Sequence, residues 1–221
     1  MAGKILTTKP LLIMLYGCPG SGKSFFARQF SEKVQAAHLQ TDRIRYELFD
    51  QPRYDKQEND VVNQLAHYMA GEFLQAGLTV VYDMNAMRIS QRRLLRDLAR
   101  KAHAVPVLVW LQIDGDTAYH RTTQRDRRRA DDKYSMQFDK PTFQKLLINS
   151  QNPEPAEDYV VISGKHVFNT QFSAVMKRLH ELNLVTGDEA TSQVVKPGLV
   201  NLVPNQKAGR VDLSRRNIII R

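Results

Sequence analysis

The chain has 221 residues, of which 42% are hydrophobic and 25% are charged. These proportions are ordinary for a folded globular protein and exclude a largely disordered chain. A formal net charge of +9 favours a polyanionic partner without requiring one. The single cysteine, Cys18, excludes an internal disulfide framework, and the longest apolar run, 11–16, is too short to span a membrane. We expect a cytoplasmic protein.

Extended and helical segments alternate along the first 183 residues. Apolar runs predict buried strands at 11–16, 78–83, 105–113 and 158–163, and a weaker strand at 38–40. Helices are predicted at 25–37, 41–48, 57–76, 88–103, 114–129, 142–149 and 169–183, with Thr41 and Asp42 as the cap of the second. Strands that alternate with helices favour a parallel sheet covered on both faces.

The segment 17–24, GCPGSGKS, matches the pattern GxxxxGK[ST] and lies between a predicted strand and a predicted helix. Glycines let the backbone N–H groups converge on an anion, and the helix N-terminus adds its positive dipole. The pattern predicts that Lys23 reaches the β- and γ-phosphates of ATP and that Ser24 ligates Mg²⁺. The predicted nucleotide-binding residues are Gly17, Cys18, Pro19, Gly20, Ser21, Gly22, Lys23, Ser24 and Phe25.

Together with the alternating strands and helices, this motif resembles the P-loop NTPases and implies an α/β fold of three layers, nucleoside-monophosphate-kinase-like in form. We expect five mostly parallel strands, a helical lid at about 121–140 and a short C-terminal extension. The predicted nucleotide-binding domain covers residues 1–185. From residue 186 to residue 221 the hydrophobic periodicity is lost, and six Lys or Arg oppose three Asp or Glu. That extension is predicted either to wrap over the core or to act as a basic arm for a partner.

Polar residues follow the second and third predicted strands, at the sheet edge where ligands bind in such folds. Asp42 and Arg45 share a helix face, so one can accept a proton while the other grips an acceptor phosphate. Asp83 can hold Mg²⁺ or the acceptor, and Asn85 can bind a hydroxyl or phosphate. The alternatives are an N-cap aspartate beside a solvated arginine, and ordinary turn chemistry at the end of a strand.

A basic stretch begins at His120 and includes Arg121 and Arg125, which are four residues apart and point the same way. Arginines on a lid that closes over the triphosphate would stabilise the transition state of phosphoryl transfer. The alternative is the solvated end of a helix. On the next helix towards the N-terminus, Arg88, Arg92 and Arg96 form a basic stripe that could lead an acidic chain to the acceptor site, or could simply face solvent.

These motifs together resemble the P-loop kinases that include phage polynucleotide 5′-hydroxyl kinase and the zeta-toxin kinases. That kinase domain has a GxPGSGKS loop, an aspartate with an arginine three residues later, a D-x-N after the third strand and two lid arginines four apart. The resemblance covers about residues 8–183. It implies Asp42 as general base, Arg45 as a clamp on the 3′-side phosphate of the acceptor, and Arg121 and Arg125 over the ATP phosphates.

The sequence therefore predicts an ATP- and Mg²⁺-dependent kinase whose acceptor is most simply the 5′-hydroxyl of DNA or RNA. The predicted catalytic residues are Lys23, Asp42 and Arg125. The predicted acceptor-binding residues are Asp42, Arg45, Asp83, Asn85 and Arg88, and the metal ligands are Ser24 and Asp83. Two alternatives stay open: a kinase of a nucleotide sugar, nucleoside or antibiotic, and a non-catalytic module that binds a nucleoside triphosphate.

Overall fold

The computed structural model describes residues 4–84, 88–126, 128 and 133–186. Its strands are β1 (Leu11–Tyr16), β2 (Ala36–Gln40), β3 (Thr79–Asp83), β4 (Val105–Gln112) and β5 (Tyr159–Ser163). They form one sheet in the order β2-β3-β1-β4-β5, and every neighbouring pair is parallel. The predicted fold class, a parallel sheet of the P-loop NTPase type, is confirmed.

One helix connects β1 to β2 and one connects β3 to β4, whereas two helices connect β2 to β3 and two connect β4 to β5. The helices are α1 (Lys23–Lys33), α2 (Thr41–Leu48), α3 (Lys56–Gln75), α4 (Ile89–Lys101), α5 (Gly115–Thr123), α6 (Lys140–Ile148) and α7 (Phe168–Glu181). A single 3₁₀ turn, Pro155–Glu157, precedes β5. Among the described residues, no helix combines the length and apolarity that crossing a membrane would need.

The central strand β1 is buried on both faces, and its side chains alternate between two hydrophobic cores. Leu11, Ile13 and Leu15 pack in the core that α1 and α7 cover. Leu12 and Met14 pack in the opposite core, which α3 and α4 cover. Each face of the sheet is thus closed by helices, and the carboxyl ends of the strands remain at one open edge.

Two helices, α1 and α5, end at least four residues earlier than the sequence pattern predicts. α1 ends at Lys33 rather than at residue 37, because Val34 turns extended and Gln35 N donates to Ile5 O. Ala36 therefore begins β2, two residues before the predicted strand. α5 ends at Thr123 rather than at residue 129, and its last hydroxyl donates to the backbone oxygen of His120.

The described residues between α5 and α6 contain no helix, so the helical parts of the predicted lid 121–140 are the end of α5 and the first residue of α6. Several predicted features lie outside the described residues: Asn85, lid residues 127 and 129–132, and the extension from residue 187 onwards. The predicted domain boundary at 185 stays a prediction. At that point Val185 bridges Thr7 beside the first core.

Candidate active site

The loop between β1 and α1 adopts a backbone that only glycine tolerates well. Gly20 and Gly22 have φ values of +83° and +96°, in the left-handed region. A Cβ atom at Gly20 would collide with the backbone oxygen of Ala118. Gly22 directly precedes the first residue of α1, which has neither a side-chain cap nor an acidic residue in its first turn. The first N–H groups of α1 are therefore available to an anion.

Lys23 places its ammonium group over this loop. Its Nζ donates to the backbone oxygens of Gly17, at 2.8 Å, and Cys18, at 3.0 Å. Burial lowers the pKa of Lys23, and the charge of Asp83 opposes that shift. The loop thus presents a desolvated positive charge beside free N–H groups, which is the arrangement that a phosphate chain requires.

A cleft of about 930 Å³ lies over the loop and the carboxyl ends of the strands. It brings together most of the predicted site residues. Those that line it are Pro19, Gly20, Gly22, Lys23, Ser24, Phe25, Asp42, Arg45, Asp83, Arg88, Arg121 and Arg125.

Three predicted nucleotide-binding residues do not line this cleft. Gly17 is buried beneath it, where a Cβ atom would approach Ser21 Oγ to 2.6 Å. Ser21 is buried too, and its Oγ has no hydrogen-bond partner among the described residues. Cys18 lines a separate cavity of about 620 Å³ with Trp110. Burial raises the pKa of Cys18 more than Lys23 lowers it, so the thiol stays protonated at neutral pH.

Two carboxylates meet where β2 and β3 end. Gln40 pairs with Asp83 across the sheet, so Asp42, two residues further along in the first turn of α2, lies at the same edge of the sheet. Burial raises the pKa of Asp42 to about 6, and the neighbouring Asp83 charge contributes to the rise. Asp83 lies 3.2 Å from His38 Nε2. The two carboxylates thus have different partners, and a raised pKa is the property that a carboxylate needs to accept a proton near neutral pH.

The predicted capping role of Thr41 and Asp42 is wrong. Gln40 is the N-cap residue of α2, and it makes no side-chain cap. Thr41 is the first helical residue, and its hydroxyl donates to the backbone oxygen of Asp83 at 3.3 Å. Asp42 is in the first turn and is directed to the cleft. The helix start therefore leaves the Asp42 carboxylate available to a ligand.

Arg45 is buried in the wall of the cleft, and partners that the sequence did not predict surround it. Its two terminal nitrogens donate to Glu58 Oε2, at 3.0 Å, and Asn59 Oδ1, at 2.6 Å. The Tyr54 ring stacks on the guanidinium at 4.6 Å. Glu58 is 13 residues away from Arg45 in sequence. Helical spacings of three or four residues therefore do not predict this pair.

The two predicted lid arginines line the cleft from the side of β5 and the α5–α6 connection. Arg121 donates to the backbone oxygen of Gly164 at 2.8 Å. Arg125 donates to the backbone oxygen of Met136 at 2.6 Å. The connection from β5 to α7, which contributes Gly164 and Lys165 to the cleft, was not predicted. Its signal in the sequence is the Gly that follows a buried strand at the ligand-binding edge.

The prediction that Arg88, Arg92 and Arg96 form one basic surface is wrong. Arg92 is fully buried, and its Nε and one terminal nitrogen each donate to Glu157 at 2.8 Å. Arg96 also pairs with Glu157 and is only 14% exposed. Arg88 alone of the three is exposed and lines the cleft. Burial with a shared carboxylate leaves two of the three arginines unavailable to an acidic chain.

The residues present fit a magnesium ion that bridges protein and nucleotide. Ser24 supplies a hydroxyl and Asp83 a carboxylate to the same cleft. In the described part of the chain, no cluster of three or more histidine, cysteine or acidic side chains could hold a metal. Mg²⁺ commonly takes one or two protein oxygens and completes its octahedron with phosphates and water, so this donor set suits it.

Several solved structures share the fold. The APS kinase CysC of Mycobacterium tuberculosis, in complex with AMPPNP and APS, superposes with a TM-score of 0.57 at 19% identity, over 78% of this chain and 98% of that one. A gluconokinase of Sinorhizobium meliloti 1021 gives 0.54 at 18% identity, over 79% and 93%. Kti12 of Chaetomium thermophilum, in complex with ADP-AlF3, gives 0.54 at 17% identity, over 75% and 99%. No curated protein matches the chain in sequence.

A family model described as "AAA domain" (AAA_33) matches residues 12–144, from β1 into α6. The matched region contains the loop 17–24, the carboxylate pair and both lid arginines. Because it spans more than half of the chain, the protein belongs to the AAA_33 family of AAA domains.

Proposed function

We propose that this protein is an ATP-dependent phosphotransferase that moves the γ-phosphate of ATP to a hydroxyl group. The observation that carries the proposal is one cleft that is lined both by Lys23 of the anion-binding loop and by the half-buried Asp42, whose pKa is raised to about 6. The similar folds of an APS kinase and a gluconokinase support it.

The chemistry follows from these positions. Asp42 accepts the proton of the acceptor hydroxyl as its oxygen forms a bond to the γ-phosphorus, and the bond to the β-phosphate oxygen breaks to release ADP. A pKa of about 6 leaves Asp42 ionised near neutral pH while making it a stronger base than an exposed aspartate. Lys23, Arg121 and Arg125 stabilise the charge on the transferred group.

Ser24 and Asp83 would hold Mg²⁺ in this cleft. The ion would supply charge neutralisation to the phosphoryl group. His38 then orients Asp83, because its ring nitrogen lies within hydrogen-bonding distance of the Asp83 carboxylate.

The acceptor that the cleft supports best is a small hydroxylated molecule. A polymer would need a cationic track, and Arg92 and Arg96 are engaged by Glu157 inside the protein. The 5′-hydroxyl of a nucleic acid is the second candidate, favoured by the net charge of +9 and by the exposed Arg88.

The test is transfer from γ-labelled ATP to a panel of sugars, nucleosides and 5′-hydroxyl oligonucleotides, with wild type and Asp42→Asn. We expect transfer to fall by about 10²–10⁴ in the variant, the usual contribution of a general base, while ATP-analogue binding persists. Glu47→Gln, an exposed carboxylate on the same helix, is the matched control. Unchanged transfer in Asp42→Asn would refute the assigned base. Nucleotide binding with no transfer to any acceptor would favour a non-catalytic binding module.

A further inference from the structure

The acceptor side of the cleft contains an arginine whose charge is already neutralised. Arg45 lies one turn after Asp42 on α2, with its side chain 7% exposed, and pairs at 3.0 Å with a Glu58 side chain that is 2% exposed. Opposite charges attract strongly in a buried environment, which keeps the two side chains together. Because their charges are equal and opposite, the pair presents nearly no net charge to the cleft.

Glu58 is held in this position by its own set of hydrogen bonds. The backbone N–H groups of Arg53 and Tyr54 donate to its two carboxylate oxygens at 2.8 and 2.7 Å. Asp55 caps the start of α3 by accepting from Glu58 N at 2.9 Å. Burial alone would raise the pKa of Glu58, but the two backbone donors and Arg45 hold it below the ordinary range. The carboxylate is therefore fixed and ionised.

The remaining surroundings of Arg45 restrict what it can offer a ligand. Asn59 occupies the second terminal nitrogen and the Tyr54 ring covers one face of the guanidinium. Asn59 is itself committed, since its amide donates to the backbone oxygen of Tyr54. Arg45 Nε is buried without a hydrogen-bond partner in the described part of the chain. Because Arg45 lines the cleft, this donor stays unsatisfied unless a ligand oxygen or a water reaches it.

We propose that Glu58 determines acceptor specificity by cancelling the charge of Arg45, so that the acceptor group beside Arg45 is an uncharged oxygen and not a phosphate. The proposal rests on the proposed function and names its substrate class: a compact acceptor with a neutral hydroxyl or carbonyl oxygen near the reacting hydroxyl. A phosphate at this position would meet the fixed carboxylate of Glu58 as well as the guanidinium. This differs from the phosphate clamp that the resemblance to polynucleotide kinases implies.

The first experiment measures binding of inorganic phosphate by calorimetry to protein saturated with a non-hydrolysable ATP analogue. We expect any binding heat that wild type shows with phosphate to be the same in Arg45→Met, because Arg45 does not bind phosphate in wild type. In Glu58→Gln we expect phosphate to bind about tenfold more tightly or better, because the guanidinium charge is released. Glu47→Gln removes an exposed carboxylate from α2 and should bind phosphate no more tightly than wild type. Wild-type phosphate binding that Arg45→Met abolishes would overturn the proposal, as would a folded Glu58→Gln with no gain.

A second measurement needs no variant and covers the case in which Glu58→Gln does not fold. Wild type is given acceptor pairs that differ by one phosphate, such as adenosine and adenosine 3′-monophosphate. We expect kcat/KM to be at least about tenfold higher for the uncharged member, and preference for the phosphorylated member would refute the inference. If no acceptor is phosphorylated while phosphate binding behaves as expected, the proposed function fails and the role of Glu58 in acceptor specificity fails with it, and only the cancelled charge of Arg45 is retained.

Discussion

Arg92 of α4 and Glu157, in the turn before β5, form a buried bidentate ion pair with two donor–acceptor distances of 2.8 Å. Arg96 shares the same carboxylate, and the Arg92 guanidinium stacks on the Tyr16 ring at 5.1 Å. Burial opposes the charge of Glu157, but the two arginines prevail and lower its pKa to about 2. The pair therefore joins α4, the segment before β5 and the end of β1, which leads into the phosphate-binding loop.

We expect Glu157→Gln to destabilise the protein by about 3–5 kcal/mol, because the buried Arg92 would lose its counter-charge. Urea unfolding at pH 7 measures this change. Asp97→Asn breaks the exposed pair with Arg100 on the same helix and should cost less than about 1 kcal/mol. Because the folded pKa lies below the unfolded one, the stabilisation is complete above about pH 5 and is lost as pH falls towards 2. A loss below about 1 kcal/mol in Glu157→Gln would contradict the structural role.

The sequence predicts the fold because periodicity and local motifs determine it. The apolar run 11–16 is typical of a buried strand, and the glycine pattern 17–24 predicts the loop that follows it. The order of strands and loops then places Asp42 and Asp83 at one edge, and the structure does bring them into one cleft. The parallel topology is sufficient to predict that Asp42 and Asp83 lie at the same edge of the sheet.

Partners distant in sequence could not be predicted. Arg92 and Arg96 look like a solvated stripe because nothing near them in sequence announces Glu157, 65 residues from Arg92. Arg45 looks like a free phosphate ligand because Glu58 approaches it only once α3 folds against α2. In both cases the charge pattern was read correctly, but the counter-charge came from tertiary packing.

We expect Lys23→Ala to abolish ATP-analogue binding and turnover without loss of stability. The ammonium is the charge that faces the phosphates, and burial already lowers its pKa, so the fold does not depend on it. Calorimetry and thermal melting measure the two effects. Lys101→Ala, at the exposed end of α4, is the control and should leave both unchanged. Normal turnover in a folded Lys23→Ala would remove the phosphate-binding assignment.

A substitution in the α5–α6 connection tests the lid. We expect Arg125→Ala to lower kcat by about 10³–10⁵, the range for arginines that stabilise the phosphoryl-transfer transition state. Because Arg125 donates to Met136 O at the cleft wall, its loss should leave KM for the acceptor nearly unchanged. Arg128→Ala, an exposed arginine three residues later, is the matched control. An effect confined to acceptor KM would place Arg125 away from the γ-phosphate.

The pH dependence of transfer reports on Asp42. With a pKa of about 6, the fraction of ionised base falls about tenfold per pH unit below that value. We therefore expect kcat/KM to rise between pH 4.5 and 6 and to level off above 7, measured by initial rates at constant ionic strength. Any transfer rate that remains in Asp42→Asn should not show this rise between pH 4.5 and 6. A wild-type rate that is flat down to pH 4.5 would show that a group with an ordinary aspartate pKa is the base.

The same carboxylate affects stability with the opposite sign to Glu157. The pKa of Asp42 is raised on folding from 3.8 to about 6, so its favourable contribution is present below about pH 4 and is lost as pH rises through 6. At pH 7–8 the folded protein therefore contains a desolvated charge that the unfolded chain would hydrate. We expect Asp42→Asn to be more stable than wild type there, by about 1–2 kcal/mol, and the difference to vanish below pH 4. Urea unfolding at pH 4, 6 and 8 measures it, and Glu47→Gln should show no such trend. If the variant is less stable than wild type at pH 8, the charged form of Asp42 makes favourable contacts in the folded protein. The pKa of Asp42 would then not be raised, and the argument that Asp42 is the general base would fail.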